Sequence, residues 1–180
     1  GAINIVRDPR NVITSLMNHY SINEEEALKM LSSVHRNLKD RNDKSDYSNY
    51  SFISSWANNY KSWKISKNIN KLLVRYEDLE NDRVKIFSEI LDFTNKLMKN
   101  GHQINKQKLE KSIKTTDFDI LKNKEKKEGF DEAVYSEDLV GKKPFFNLGK
   151  KNNYKKLLKI ETIKSVEKIF EDEMKELGYL

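Results

Sequence analysis

Cysteine is absent from the 180 residues. That excludes a disulfide framework and a thiolate metal site, and it points to a reducing compartment. No run of about 18 apolar residues occurs, and no charged, apolar and small-residue succession opens the chain as a secretory signal would. A soluble, cytoplasmic protein without a membrane partner is expected, and the abundance of Asn and Lys points to a bacterial one. No glycine-rich phosphate loop is found. The three histidines, His19, His35 and His102, are scattered, with no carboxylate or second histidine at ligand spacing, so no metal is expected.

Hydrophobic residues make up 37% of the chain, charged ones 34% and aromatics 10%. Because the aromatics recur at regular spacing, this balance describes a folded protein with a modest core rather than a disordered one. The length is that of one domain. Thirty-four Lys and Arg against 28 Asp and Glu leave a charge of +6, which favours anionic partners in general. Lys122, Lys124, Lys126 and Lys127 interleave with acids; such mixing describes a solvated face, so nucleic acid is not an expected partner.

Ala2 to Val6 is a short β-branched run that reads as a buried strand. Asp8 suits a helix cap and Pro9 the first helical position, so a strand feeds through a tight turn into a helix over Val12 to Tyr20. A second helix is expected from the cap Asn23 to about Lys39, and Phe52, Trp56, Tyr60 and Trp63 mark an aromatic-faced helix ending near Ser66. Leu72 to Tyr76 is the other convincing strand, separated from the first by helices as parallel strands must be. Helices are expected after Asn81 or Asp82, after Asn105 and after Thr116. The span 122–143 reads as a charged loop, Gly149 to Tyr154 as a basic turn, and Ile160 to Leu177 as a closing amphipathic helix ended by Gly178.

Arg7 at a strand end and Ser15 two turns into the next helix are the strongest pair for chemistry. A guanidinium offers forked donors to a phosphate and a hydroxyl adds one more, and a helix start beneath them suits an anion. The plain alternative is an Arg paired with Asp8 or a neighbouring acid, and a Ser that faces solvent. Glu77 and Asp78 similarly read either as a catalytic pair or, more simply, as a turn cap and an ion pair with Arg75.

Val6-Arg7-Asp8-Pro9-Arg10-Asn11-Val12-Ile13-Thr14-Ser15 resembles the 3′-phosphate-binding segment of the sulfotransferase family that uses 3′-phosphoadenosine 5′-phosphosulfate (PAPS). Further stretches resemble that family in order. Ser55-Trp56 with Trp63 is similar to its paired-tryptophan helix, Leu73 to Leu79 to the strand whose Tyr lies near adenine, and Thr115-Thr116-Asp117-Phe118 to its Thr-Ser-Phe contact. Phe146-Asn147-Leu148-Gly149 stands where the family has Phe-Arg-Lys-Gly, and Ile160 to Tyr179 resembles its last helix. Asn147 and Leu148 thus replace a basic pair, Asp117 a Ser, Tyr154 a Trp and Asn59 a His.

The resemblance implies an α-rich α/β fold, the remnant of a P-loop-like parallel sheet packed by helices. It implies one domain over residues 1–180, lacking the N-terminal phosphosulfate loop and the catalytic His, with one sheet edge bare and a homodimer as one way to cover it. It implies PAPS as co-substrate, a small-molecule or carbohydrate acceptor bearing a hydroxyl or amine, no metal, and no catalytic residue in this chain, which is expected to be inactive alone. The implied nucleotide contacts are Arg7, Ser15, Tyr76, Thr116, Phe118, Asn147, Leu148, Gly149 and Lys150. The reading outside the family is a non-catalytic module that binds phosphate, nucleotide or polyanion through the basic stretch 142–156.

Overall fold

A computed structural model describes residues 1–38, 51–130 and 144–180. The chain divides into two compact units: Gly1–Arg7 with Lys67–Asn152, and Asp8–Ser66 with Asn153–Leu180. Among the described residues the architecture is α-rich with a small parallel sheet, as the sequence implies.

In the first unit, β1 (Ala2–Val6) pairs in parallel with β4 (Lys71–Arg75), Ala2 opposite Lys71 and Val6 opposite Arg75. Val6 and Val74 are buried at the same end of the ladder, while Ile5 and Leu73 are exposed. The chain then turns into α4 (Tyr76–Asn81), which the sequence reading had not separated from the strand. Asp82 lies at φ −145°, closes α4 and caps α5 (Arg83–Met98) by accepting from the Lys85 N–H. Asn105 caps α6 (Lys106–Thr115) in the same way, accepting from Lys108.

The next cap is Asp117 and not Thr116. Its carboxylate accepts from Asp119 N–H at 3.1 Å at the start of α7 (Phe118–Glu128), while the Thr116 hydroxyl donates back to the Ser112 carbonyl. Part of the expected loop 122–143 is therefore helix to Glu128, with its charges spread around the helix surface. The remainder, 131–143, lies outside the described residues, as does 39–50. A short 3₁₀ turn covers Gly149–Lys151.

In the second unit, α1 (Pro9–Tyr20) starts on the expected Asp8 cap and ends at Ser21 in the left-handed region. Helix α2 (Glu24–Ser32) has Asn23 and Glu26 capping each other's backbone. It stops at Ser32 instead of reaching Lys39, because the chain beyond is drawn into pairing. Asn37–Leu38 (β2) lies antiparallel to Ser51–Phe52 (β3), and the Arg36 carbonyl accepts from Ile53 and Ser54 at 3.0 and 2.9 Å. Phe52 is consequently in a strand, and α3 (Trp56–Ile65) carries the other three aromatics.

The final segments are α8 (Tyr154–Leu157), α9 (Ile160–Ile169) and α10 (Glu171–Glu176). The expected single closing helix breaks at Phe170, φ −116°, where Phe170 and Met174 are both buried. They join Ile13, Leu16, Ala27, Leu31, Leu158 and Val166 in the core of this unit, and Trp56 tilts against Phe170 at 5.2 Å. Glu24 caps α9 from outside, accepting from the Lys159 N–H at 3.2 Å and from the Thr162 hydroxyl.

A buried charge network closes the second unit. Arg10 is 6% exposed and Asp8 5%. The Arg10 guanidinium donates to both Asp8 oxygens, to Glu167 at 2.6 Å and to the Tyr179 carbonyl at 2.8 Å, and it lies 4.3 Å over the Tyr154 ring. Burial opposes its charge, but the bonds to Asp8 and Glu167 outweigh that and hold the proton more firmly than usual. Asn11 adds a further tie, accepting from the Tyr154 N–H at 3.1 Å. On α3, burial first and then the bond to Glu176 push the Tyr60 hydroxyl up to about 12.

Arg10→Met is expected to destabilise the second unit by about 3–5 kcal/mol, because it leaves the Asp8 carboxylate buried without its main partner. Adding Asp8→Asn removes that charge and keeps a capping oxygen, so the double variant should regain part of the loss in urea unfolding. A double variant less stable than Arg10→Met would overturn this account.

Candidate functional site

In the first unit, strand register brings two predicted residues together. Since Val6 faces Arg75 across the ladder, the next positions, Arg7 and Tyr76, emerge side by side. The Arg7 guanidinium lies 4.2 Å over the Tyr76 ring, a stacked geometry that fixes the plane of the cation. Burial raises the Tyr76 hydroxyl, Glu80 adds to the rise, and Arg7 and Arg83 work against it. The turn beneath is fixed by Arg75, which donates to both Asp78 oxygens at 2.8 and 2.7 Å and lowers that carboxyl. Asp78 therefore has the simpler of its two expected roles.

A second group of predicted residues meets on α7. Gly149 sits against the Phe118 ring, so closely that a Cβ there would come within 2.6 Å of ring carbons. Its φ of +49° is one that glycine adopts without strain. Lys122, one turn along α7, places Nζ 3.5 Å from the Asn147 carbonyl and 5.8 Å from the centre of the Phe118 ring. Glu125, a further turn on, accepts from the backbone N–H groups of Phe145 and Phe146 at 2.5 and 2.9 Å. Phe146 meets Phe118 edge-on at 6.1 Å.

One face of α7 thus grips the backbone of residues 145–149 by a carboxylate, an ammonium and a ring. Asn147 and Leu148 lie half-buried in this segment, and the Lys150 side chain is outside the described residues. Thr116 is exposed beside Phe118, its hydroxyl donating within the last turn of α6.

Arg83 connects the two groups. It bonds Glu80 on α4 at 3.1 Å and Asp117 at 3.5 Å, so it reaches from the helix that begins with Tyr76 to the junction flanked by Thr116 and Phe118. Sequence reasoning passed over Arg83, Lys122 and Glu125. The signal for the last two was their spacing from Phe118 on one helical face. Ser15 lies half-buried on α1 of the second unit, so its partnership with Arg7 rests on sequence. Among the described residues no group of three His, Asp or Glu is placed to hold a metal, and no helix is long and apolar enough to cross a membrane.

A sulfotransferase-domain family model matches residues 2–178. No curated relative matches the chain. Among solved structures, the mouse sulfotransferase SULT7A1 complexed with PAP is 18% identical with a TM-score of 0.64, over 96% of this chain and 57% of that one. Retinol dehydratase in complex with retinol and PAP is 18% identical with a TM-score of 0.62, over 96% and 47% of the two chains. The same enzyme with androsterone and inactive cofactor PAP gives 18%, 0.63 and the same coverage. At such identity the likeness establishes the fold alone, and this chain spans about half the length of those structures.

Gly149→Ala is expected to cost about 1–2 kcal/mol locally, from the left-handed backbone and the displaced Phe118 ring. Amide exchange should quicken over Phe145–Leu148 and remain unchanged in α1. Unaltered exchange at Phe145 and Phe146 would mean that the contact with Phe118 does not hold this segment.

Proposed function

The chain belongs to the sulfotransferase family, and we propose that it serves the transfer of a sulfuryl group from PAPS to a hydroxyl or amine acceptor, supplying the 3′-phosphate and adenine side of the site. The observation that carries this reading is Arg7 stacked on Tyr76 at the end of the parallel ladder. The ring fixes the guanidinium plane, so little side-chain freedom is lost when its donors meet a phosphate. Tyr76, Thr116 and Phe118 border the base and the backbone at Asn147, Leu148 and Gly149 lies beyond them; Ser15 and Lys150 are assigned to the same nucleotide on the family resemblance alone.

The residues fit such a co-substrate in cation and aromatic surface, while the uncharged Asn147 and Leu148 place more of the phosphate affinity on Arg7. In the transfer, an acceptor lone pair forms a bond to sulfur as the bond from sulfur to the phosphate oxygen breaks. The electron pair leaves with the bisphosphate and the acceptor proton passes to a base. The residues assigned here bind and orient; none is given a catalytic role. The retinol and androsterone in two of the similar structures support a small-molecule acceptor.

Calorimetric titration with adenosine 3′,5′-bisphosphate and with 5′-AMP, at two salt concentrations, tests the reading. The bisphosphate should bind more tightly, and Arg7→Ala should weaken it by about 1.5–3 kcal/mol by removing a charge-assisted bond. Phe118→Ala should weaken both nucleotides and leave inorganic phosphate unaffected. Equal affinity for the two nucleotides with a steep salt slope would replace this reading by a polyanion-binding surface.

A further inference from the structure

Arg83 is the first residue of α5 and its side chain is only 23% exposed. Its two terminal nitrogens point to different elements: Nη2 to Glu80 on α4 at 3.1 Å, and Nη1 to Asp117 at 3.5 Å, thirty-four residues away. Asp117 is itself divided. Its Oδ1 accepts from the Asp119 N–H and caps α7, which leaves Oδ2 for Arg83. The carboxylate is thus fixed by its own helix before the guanidinium reaches it, and the residues on either side of it are Thr116 and Phe118. Glu80, at the other end, lies one helical turn after Tyr76, whose ring carries Arg7.

The pair contributes little to stability. At 23% and 44% side-chain exposure, an ion pair at this distance is screened by solvent and adds little. Nor do the hydrogen bonds of α5, α6 and α7 need it, since Asp82, Asn105 and Asp117 cap those helices independently. What the pair does fix is a distance, because it is a polar link between the turn that begins with Tyr76 and the junction that carries Thr116 and Phe118.

On the nucleotide reading above, we propose that Arg83, acting through Asp117, is a positioning residue that sets the spacing between Tyr76 and the Thr116–Phe118 junction and thereby selects a purine base. A slot held at one width accepts the larger ring system along its full face, whereas a pyrimidine fills only part of it. Loss of the link leaves both walls present but no longer held in register, so the purine loses its advantage and the phosphates keep their contacts.

The test compares adenosine and cytidine 3′,5′-bisphosphates, which share both phosphates and differ in the base, on the unaltered chain, Arg83→Met, Asp117→Asn and the double variant. The unaltered chain should favour the adenosine compound. Each single substitution should weaken it about fivefold, the loss of one charge-assisted bond at a part-exposed position, and leave the cytidine compound nearly unchanged. The double variant should be no worse than either single one, because both break one link, and Arg83→Lys should restore part of the selectivity. Equal losses for the two bases, additive losses, or no change in a chain that still prefers adenosine would overturn the positioning role and leave the nucleotide reading standing. An unaltered chain that binds neither bisphosphate would overturn both.

Discussion

The parallel register of β1 and β4 is the constraint on which the first unit depends. Side chains alternate along a strand, so a one-residue slip of β1 would turn Val6 to the other face and move Arg7 away from Tyr76. The register is held by little sequence, five residues on each strand. Part of its strength comes from the Ala2 N–H, which bonds the Asn70 carbonyl before the ladder starts, and part from the Arg75–Asp78 pair, which stops the strand and starts α4. The stacked cation at the ladder's end is a consequence of strand pairing, and no separate interaction is needed to bring it there.

The second unit solves a different problem. A buried Asp at a helix start and a buried Arg two residues later would each cost several kcal/mol if desolvated alone. Here each is satisfied by the other, and the donors left on Arg10 go to Glu167 and the Tyr179 carbonyl. The outcome is specificity of connection more than net stability. Residues near both ends of the sequence, Asp8 and Tyr179, share one guanidinium, and only one arrangement of α9 against α1 satisfies all four acceptors.

Much of this was legible in the sequence because it is local. Asp8, Asn23, Asp82 and Asn105 all cap the helices expected to follow them, and both strands of the parallel pair fall within a residue of their expected bounds. The errors arise where a tertiary partner overrides a local pattern. Residues 34–38 kept helical spacing but were drawn into pairing with 51–54, and Ile160 to Leu177 kept one amphipathic stripe yet broke where Phe170 enters the core. Within the candidate site, Tyr76, Phe118 and Gly149 were recognisable from motif. Arg83, Lys122 and Glu125 were not, since their partners lie 34, 25 and 20 residues away; helical spacing from Phe118 puts Lys122 and Glu125 on one face but does not name the segment that face meets.

The substitutions at Asn147 and Leu148 gain a physical context from α7. A basic pair in that segment would contribute charge directly, through side chains free to turn toward a phosphate. Here the segment's side chains are neutral, and its backbone is held instead by Glu125, Lys122 and Phe118. A segment that is flexible when free loses conformational entropy on binding. A held segment has already lost it at folding. Charge and rigidity are therefore partly interchangeable ways to reach the same affinity, and on the nucleotide reading proposed above the 147–148 segment would rely on backbone held by the neighbouring helix in place of side-chain charge.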